Sequence, residues 1–233
     1  MITLRKSEDR GHANHGWLNT YHTFSFASYY DPAHMGFGPL RVINEDRVSP
    51  GKGFGSHGHE DMEILTYVIS GALAHKDSMG NVETLQANEL QRISAGTGIV
   101  HSEFNGSPKD PVHFLQIWIQ PAEYNLTPGY EQLSLIEEEK LGTLRLVASP
   151  EGGKGTLKIH QDARVLIGQV EQEKELSYAL PEGRRAWVHV IRGGVSVNGQ
   201  SLSAGDAAAV TKVTPVAIRG EEANSEVLVF DVV

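Results

Sequence analysis

The sequence predicts an all-β protein, and three observations favour this fold class. Short apolar segments recur along the chain, and glycine, asparagine, aspartate and proline separate them. Long amphipathic helical patterns are missing, and only residues 130–141 could hold one short helix. The turn sequences of the first half return at similar intervals in the second half. Many short, regularly spaced strands are typical of sandwiches and barrels.

The strand predictions follow from apolar runs that end at turn residues. The predicted strands are Leu40–Asn44, Glu63–Ile69, Gln91–Ser94, Phe114–Ile119, Leu144–Ala148, Trp187–Ile191, Val195–Val197 and Val227–Asp231. The predicted turns between strands are Ser70-Gly71, Met79-Gly80-Asn81, Asn198-Gly199 and Gly205-Asp206.

An internal repeat indicates two copies of one β-barrel unit. In the first half, strands alternate with turns at Gly71, Gly80 and Asn88; in the second half, turns at Gly193, Asn198 and Gly205 follow at nearly matching intervals. The chain of 233 residues is long enough for two domains of roughly 100 residues each. We place the boundary in a polar stretch, which gives domains of residues 1–136 and 137–233.

Composition excludes several classes of function. The formal net charge is −9, and lysine and arginine are scattered, so direct nucleic-acid binding through a basic surface is not expected. Cysteine is absent, which excludes disulfides, thiolate ligands and a cysteine nucleophile. The N-terminal segment has no apolar signal region and no long apolar run follows. We therefore expect a cytoplasmic protein with no membrane association.

The strongest chemical signal is a pair of short motifs rich in metal ligands. His57 and His59 lie two residues apart, as do His101 and Glu103. Residues two apart on a strand point to the same face, so each pair shares a face if its segment is extended. Two such segments side by side in a barrel would bring four donors to one point. Imidazole and carboxylate suit Fe, Mn, Ni, Cu or Zn.

The alternative that these histidines are surface residues and bind no metal stays open at this point, because a lone His-x-His pair is common in surface loops. His12, His15 and His22 are interpreted as hydrogen-bonded structural or loop residues. The C-terminal half offers no comparable set, since His160 and His189 stand alone. Five large side chains could line a pocket over the metal, although each taken singly is more simply a core residue. These are Phe24, Phe26, Met35, Phe37 and Phe54.

The motifs resemble those of a known family. Gly51-x5-His57-x-His59-x3-Glu63 followed by Gly71 is similar to the first cupin motif, and Gly98-x2-His101-x3-Asn105 to the second. Longer segments narrow the resemblance to the pirin family, and to its bacterial quercetinase-like members. They are His22-Thr-Phe-Ser-Phe26, Tyr29-Tyr-Asp-Pro32, Met35-Gly-Phe-Gly38, Leu40-Arg-Val-Ile-Asn-Glu-Asp46, Asp61-Met-Glu63 and Ser94-Ala-Gly-Thr-Gly98. They cover the first half densely.

The resemblance implies a bicupin: two cupin (jelly-roll) β-barrels in one chain, with metal only in the first. It also implies a ligand set of three histidines and one glutamate, which falls on His57, His59, His101 and Glu103. The second barrel is then degenerate and metal-free. Gly96 departs from the general cupin pattern, which has proline there.

Glu63 is a competing acidic ligand, because the general cupin motif places its carboxylate there. Four residues of straight strand separate it from His59, roughly 13 Å, so both reach one ion only if the chain turns a corner. Glu103 needs no corner to join His101. The resemblance also favours Glu103, and we interpret Glu63 as a supporting or structural residue.

The function implied is a dioxygenase that opens the ring of a flavonol such as quercetin with O2 and releases carbon monoxide. Glu103 would act as ligand and as base for the substrate hydroxyl. An alternative from another class, which the resemblance to animal pirins implies, is an iron-dependent redox sensor or transcription co-regulator that acts through protein partners without turnover. A third is a purely structural cupin. An open cavity above the metal would favour catalysis, and a plugged one sensing.

The expected cofactor is one divalent transition metal ion, iron first, with Zn, Ni, Mn, Cu and Co as alternatives. The expected partners are a flavonol-like substrate and O2. A monomer is expected because one chain supplies both barrels.

Overall fold

A computed structural model describes residues 1–233, and it is built almost entirely of strands. The two helical elements are single 3-10 turns, Ser7–Asp9 and Glu137–Glu139. None of the helical segments has the length and hydrophobicity needed to cross a lipid bilayer.

The strands follow one another at short intervals along the chain. They are β1 (Ile2–Arg5), β2 (Gly11–Asn14), β3 (Leu18–His22), β4 (Leu40–Val48), β5 (Gly53–His59), β6 (Glu63–Ser70), β7 (Ala72–Asp77), β8 (Val82–Gln86), β9 (Glu89–Ser94), β10 (Ile99–Asn105), β11 (Val112–Ile119), β12 (Gly129–Ser134), β13 (Leu144–Ser149), β14 (Leu157–Lys158), β15 (Ala163–Val170), β16 (Glu175–Tyr178), β17 (Arg185–Arg192), β18 (Gly194–Val197), β19 (Gln200–Ser203), β20 (Ala207–Thr211), β21 (Val216–Gly220) and β22 (Ser225–Val232).

The chain forms two compact units, each discontinuous in sequence. The N-terminal barrel comprises Gly11–Leu135 and Ile159–Gln161, and the C-terminal barrel comprises Met1–Arg10, Ile136–Lys158 and Asp162–Val233. Relative to a linear division, each unit therefore takes one short segment from the other half of the sequence.

The N-terminal barrel consists of two antiparallel sheets. The larger has the order β12-β9-β6-β11-β4-β3-β2, and the smaller has the order β5-β10-β7-β8. Apolar side chains form two separate clusters in this unit. One contains Leu18, Val48, Val68, Leu73, Leu85, Val112 and Phe114, and the other contains Ile64, Ile93, Ala95 and Ile99.

The C-terminal barrel repeats this arrangement strand by strand. Its larger sheet has the order β1-β20-β17-β22-β15-β13-β14, and its smaller sheet has the order β16-β21-β18-β19. Here β1 occupies the edge position that β12 occupies in the other barrel. A single cluster of sixteen buried aliphatic residues fills the interior, including Leu176, Val195, Val197, Val216 and Ile218. The repeat confirms the predicted fold of two cupin barrels.

All eight predicted strands lie within observed strands, and the stretch of residues 130–141, which could hold one short helix, contains a single helical turn after a strand. Residues 129–134 form β12, in which Tyr130 lies opposite Ile93 of β9, and only Glu137–Glu139 turn helically. Because an edge strand gains its hydrogen bonds from a neighbour distant in sequence, local pattern alone does not reveal it.

Gly96 shows why this chain departs from the general cupin pattern. Its φ angle is +49°, and a Cβ at this position would lie 1.9 Å from the carbonyl oxygen of Leu126. Proline holds φ near −65° and carries a ring, so it fits neither the backbone conformation nor the available space. Glycine is therefore required at this turn.

Candidate metal centre

Two neighbouring strands of the smaller sheet, β5 and β10, carry the predicted ligands, and a third strand, β7, lies on the other side of β10. Strand β10 lies between β5 and β7, with His101 directly opposite His57 on β5 and Glu103 directly opposite His75 on β7. His59 follows two residues after His57, on the same face. The predicted convergence of two separate segments is therefore present.

The first group of donors contains three histidines. One ligand nitrogen from each of His57, His59 and His101 lies within 4.8 Å of the others. The ring centroids of His57 and His101 are 4.4 Å apart. A tetrahedral ion with bonds of about 2.1 Å holds its donors about 3.4 Å apart, so this group needs only a modest contraction to bind one.

His101 gives the clearest sign that a cation fits here. Its side chain is 1% exposed, yet neither ring nitrogen has a hydrogen-bond partner. A buried polar atom without a partner is destabilising unless something binds it. A metal ion would supply that missing partner.

The protonation of the histidines also suits metal binding. The Nδ1–H of His57 donates to the carbonyl oxygen of Gly55 at 2.8 Å, which leaves Nε2 as the free lone pair. Burial, followed by the nearby His57, lowers the pKa of His59 to about 4 and that of His101 to about 3. Both rings are therefore neutral near pH 7, the state that a metal ligand requires.

Glu103 is a fully enclosed carboxylate held by two amides. Gln91 Nε2 donates to Glu103 Oε1 at 2.7 Å, and Gln116 Nε2 donates to Oε2 at 3.0 Å. Burial raises the pKa of Glu103, although His75 and the two glutamines partly oppose this rise. A cation beside this carboxylate would compensate its buried charge.

The four predicted ligands do not all lie within 4.8 Å of one another. Instead, the donors form two overlapping groups that share His101: His57 with His59 and His101, and His75 with His101 and Glu103. The sequence-based prediction missed His75. A signal was available, because His75 and Asp77 have the same His-x-acid spacing as His101 and Glu103.

Glu63 belongs to neither group. Its Oε2 accepts a hydrogen bond from Ser94 Oγ at 2.8 Å, and its Oε1 lies 3.1 Å from Nδ1 of His160. Both oxygens are thus engaged away from the donors, as expected for a structural residue.

A cavity of about 300 Å³ lies against the donors. His57, His59 and Glu103 line it on one side. Phe26 and Trp118 form part of its aromatic wall, with their ring centroids 5.5 Å apart. Ligand pockets range from about 300 to 1,000 Å³, so the cavity is large enough for a compact planar molecule.

The other wall of the cavity is polar. Thr20, His22, Asn44, Asp46 and Gln116 contribute to it. Burial, opposed by a hydrogen bond from Thr20, raises the pKa of Asp46 to about 7. This wall offers hydrogen-bonding groups to hydroxyls of a bound molecule.

Two further sets of predictions concern residues of the first half: the isolated histidines and the large side chains considered for the pocket. His12 and His22 are hydrogen-bonded, to Asn19 at 2.7 Å and to Asn44 at 2.8 Å. Of the five side chains considered for the pocket, Phe26 and Phe54 line the cavity, whereas Phe24 is buried in the core.

A larger cavity of about 990 Å³ lies in the C-terminal barrel, lined in part by Leu180, Arg184 and Lys212. No histidine lines it.

Comparison with known proteins gives consistent matches over the whole chain. The family model described as Pirin matches residues 3–119, and the model described as quercetinase C-terminal cupin domain matches residues 146–232. A protein named quercetin 2,3-dioxygenase from Escherichia coli (strain K12) is 47% identical over 231 residues, which cover 99% of this chain and 98% of that protein. A pirin-like protein from Caulobacter vibrioides is 38% identical over 230 residues, 98% of this chain and 99% of that one.

Solved structures agree with these matches. The bacterial pirin YhhW from Escherichia coli in complex with nickel(II) is similar to this chain with a TM-score of 0.94 at 47% identity, covering 100% of this chain and 99% of that one. Another crystal structure of YhhW from Escherichia coli matches with a TM-score of 0.96 at 47% identity, covering 100% of this chain and 98% of that one.

Proposed function

The chain belongs to the pirin family, and on that premise we propose that it is a metal-dependent dioxygenase that opens the ring of a flavonol such as quercetin with O2 and releases carbon monoxide. The observation that carries this proposal is the cavity bounded by His57, His59 and Glu103 on one side and by aromatic side chains on another. The name of the E. coli relative, quercetin 2,3-dioxygenase, supports the same substrate class.

We propose that His57, His59, His101 and Glu103 hold the metal in the N-terminal barrel, and that the C-terminal barrel is metal-free. The nickel(II) complex of the E. coli relative supports a single divalent ion. Histidines with one carboxylate suit non-haem iron, which we propose as the native ion. When bound, the metal supplies Lewis-acid chemistry that acidifies the substrate hydroxyl and brings O2 chemistry to the site.

Glu103 is proposed to take the proton of the flavonol 3-hydroxyl at one of its carboxylate oxygens. A general base is most effective when its pKa lies near the working pH, and burial moves the pKa of Glu103 upward, in that direction. Gln91 and Gln116 fix the carboxylate from two sides, so its oxygens keep one orientation as the proton arrives.

The cavity walls are proposed to orient the planar substrate and to exclude water. Phe26 and Trp118 offer faces and edges for aromatic contact. Asp46 and Asn44 can pair with phenolic hydroxyls at the opposite wall. Because the cavity is small, a bound flavonol would displace most of the water beside Glu103.

The cavity also supports turnover over the alternative of a redox sensor. A sensor needs no space for a substrate beside its ligands, whereas His57, His59 and Glu103 all border an open volume of about 300 Å³.

The proposal is tested by loading the purified protein with iron(II) and measuring quercetin loss, O2 consumption and carbon monoxide release together. The His57→Ala/His59→Ala variant is expected to lose at least about 100-fold in turnover. His113→Ala is the matched control, because His113 bonds to Glu45 outside the cavity and should retain activity. Turnover that is equal in wild type and in the double variant would refute the proposal.

A further inference from the structure

His75 is a buried histidine on β7 that the proposed reaction does not use. Its side chain is 1% exposed, and it lies opposite Glu103 across the β7–β10 pair. Its Nδ1 atom has no hydrogen-bond partner. A ring buried this deeply with one open nitrogen is unfavourable unless that nitrogen meets a ligand.

The other side of the His75 ring is firmly held. Its Nε2–H donates to Asp77 Oδ2 at 3.0 Å. Asp77 in turn accepts hydrogen bonds from the backbone N–H groups of Met79 and Asn81 and from the Asn81 side chain. The ring of Tyr130 stacks on His75 with a centroid distance of 4.9 Å. The position and tautomer of the imidazole are therefore fixed.

This arrangement is the one that metal-binding histidines show. A ligating imidazole nearly always donates its second N–H to a carboxylate or carbonyl, which orients the free nitrogen toward the metal. The Asp77–His75 pair supplies that carboxylate. The free Nδ1 is on the side of the ring away from Asp77, and His75, His101 and Glu103 each place a donor atom within 4.8 Å of the others.

We propose that His75, His101 and Glu103 form a second metal-binding seat in the N-terminal barrel. It shares His101 and Glu103 with the first seat, proposed above as His57, His59, His101 and Glu103, and it replaces His57 and His59 by His75. Two imidazoles and one carboxylate suit a borderline divalent cation such as Zn(II), Co(II) or Ni(II). All three side chains are 1% exposed.

The two seats compete for one ion. Both require His101, whose neutral ring offers a single lone pair at a time. Glu103, which both seats share, borders the cavity, as do His57 and His59 of the first seat, whereas His75 does not. An ion held by His75 therefore has little access to substrate, and the second seat retains metal without supporting turnover.

The test uses cobalt(II) as the probe, with binding followed by equilibrium dialysis and by the visible absorption of the bound ion. Wild type should bind one equivalent. His57→Ala/His59→Ala should still bind one equivalent, more weakly and with an altered spectrum, because the second seat is intact. Adding His75→Ala should weaken that remaining binding at least about 100-fold.

Two further variants keep the test decisive. His57→Ala/His59→Ala/His113→Ala should bind cobalt like the double variant, since His113 is outside both groups. Should His75→Ala disturb folding, as judged by circular dichroism, His75→Gln in the same background fills the space and should lose binding equally.

Three outcomes would overturn the proposal. Absence of cobalt binding by the folded double variant would remove the second seat. Unchanged binding after His75→Ala or His75→Gln would exclude His75 as a ligand. Two equivalents bound to wild type would contradict competition for His101. None of these results depends on quercetin turnover, so the proposed dioxygenase activity stands or falls separately.

Discussion

The two barrels have the same order of strands, but the interior of one carries metal-ligating side chains and the interior of the other is aliphatic. In the N-terminal barrel, β5, β10 and β7 direct histidines and a glutamate into two overlapping groups of donors. In the C-terminal barrel, the corresponding β16, β21 and β18 contribute aliphatic side chains to a single apolar cluster. The fold therefore does not impose the site, since a few side chains at equivalent positions decide between a reactive centre and a packed core.

The difference between the two interiors should also affect the stability of each barrel. Buried aliphatic carbons favour folding in proportion to the area removed from water. Buried donor atoms without partners oppose folding until a ligand satisfies them. The C-terminal barrel should thus be stable by itself, whereas the N-terminal barrel should depend on its metal.

The largest effect is expected from placing a carboxylate in the apolar barrel. Ile218 is fully buried between Leu176 and Val197, with no donor nearby to match Gln91 or Gln116. Ile218→Glu should reduce the free energy of unfolding by about 3–5 kcal/mol, because it buries an uncompensated charge. Denaturant unfolding measures the loss, and Ile218→Val should lose only about 0.5–1.5 kcal/mol. A loss below about 1 kcal/mol for Ile218→Glu would contradict the difference between the two barrel interiors.

The next effect concerns metal and should be confined to one barrel. Zinc at 100 times its dissociation constant should stabilise the N-terminal barrel by about 2.7 kcal/mol, because only the folded state binds it. Hydrogen exchange followed by mass spectrometry should show slower exchange in β5, β7 and β10. His101→Ala should abolish the change, since both groups of donors contain His101. Equal slowing in β16, β18 and β21 would contradict the comparison.

Ionisation of Asp46 should lower the free energy of unfolding of the N-terminal barrel as pH rises. Its pKa rises from an ordinary 3.8 to about 7 in the folded state, chiefly through burial, so its ionisation opposes folding. The penalty is absent below about pH 4, grows up to about pH 7 and is constant above it. Asp46→Asn should therefore raise the free energy of unfolding by at least about 1 kcal/mol at about pH 8 and leave it nearly unchanged at about pH 3.

Metal-free protein should be used for this measurement. A gain that is equal at both pH values would show that the effect comes from packing, not from ionisation.

The smallest effect concerns Asp206 in the C-terminal barrel. Its ionisation stabilises the fold, whereas the ionisation of Asp46 opposes folding. Burial raises the pKa of Asp206, but hydrogen bonds from Lys6 and from the backbone N–H groups of Ser203 and Ser7 outweigh it, so the pKa is lowered overall. The carboxylate thus stabilises the fold above its ordinary pKa, and the contribution disappears as pH falls. Lys6 is 39% exposed, so solvent screens the ion pair.

Asp206→Asn should accordingly reduce the free energy of unfolding by no more than about 1 kcal/mol near pH 7, and by less at about pH 3. Unfolding curves at the two pH values measure the difference. A larger loss at the lower pH would reverse the assigned sign.

The sequence was most informative where local rules suffice. Apolar runs bounded by turn residues located eight of the 22 strands, and the two-residue spacing placed His101 and Glu103 on one face of β10. Glu63 lies outside both groups of donors, although the chain turns between His59, which ends β5, and Glu63, which begins β6.

Local rules failed where the outcome depends on which strands become neighbours. His75 belongs with the donors only because β7 pairs with β10, and nothing near His75 in sequence encodes that pairing. The edge strand β12 escaped detection for the same reason, since its partner β9 lies dozens of residues upstream. Long-range pairing carries that information, and a single sequence does not display it.

The placement of β1 has a consequence for how the molecule is made. Ile2–Arg5 pair with Ala207–Val210, so β1 cannot join its sheet until the whole segment between the two strands has been synthesised. Until then its apolar Ile2 and Leu4 have no sheet to join. A fragment that begins after residue 10 would lack β1 and therefore one edge strand of the larger sheet in the C-terminal barrel. The rest of that barrel's sequence would still be present.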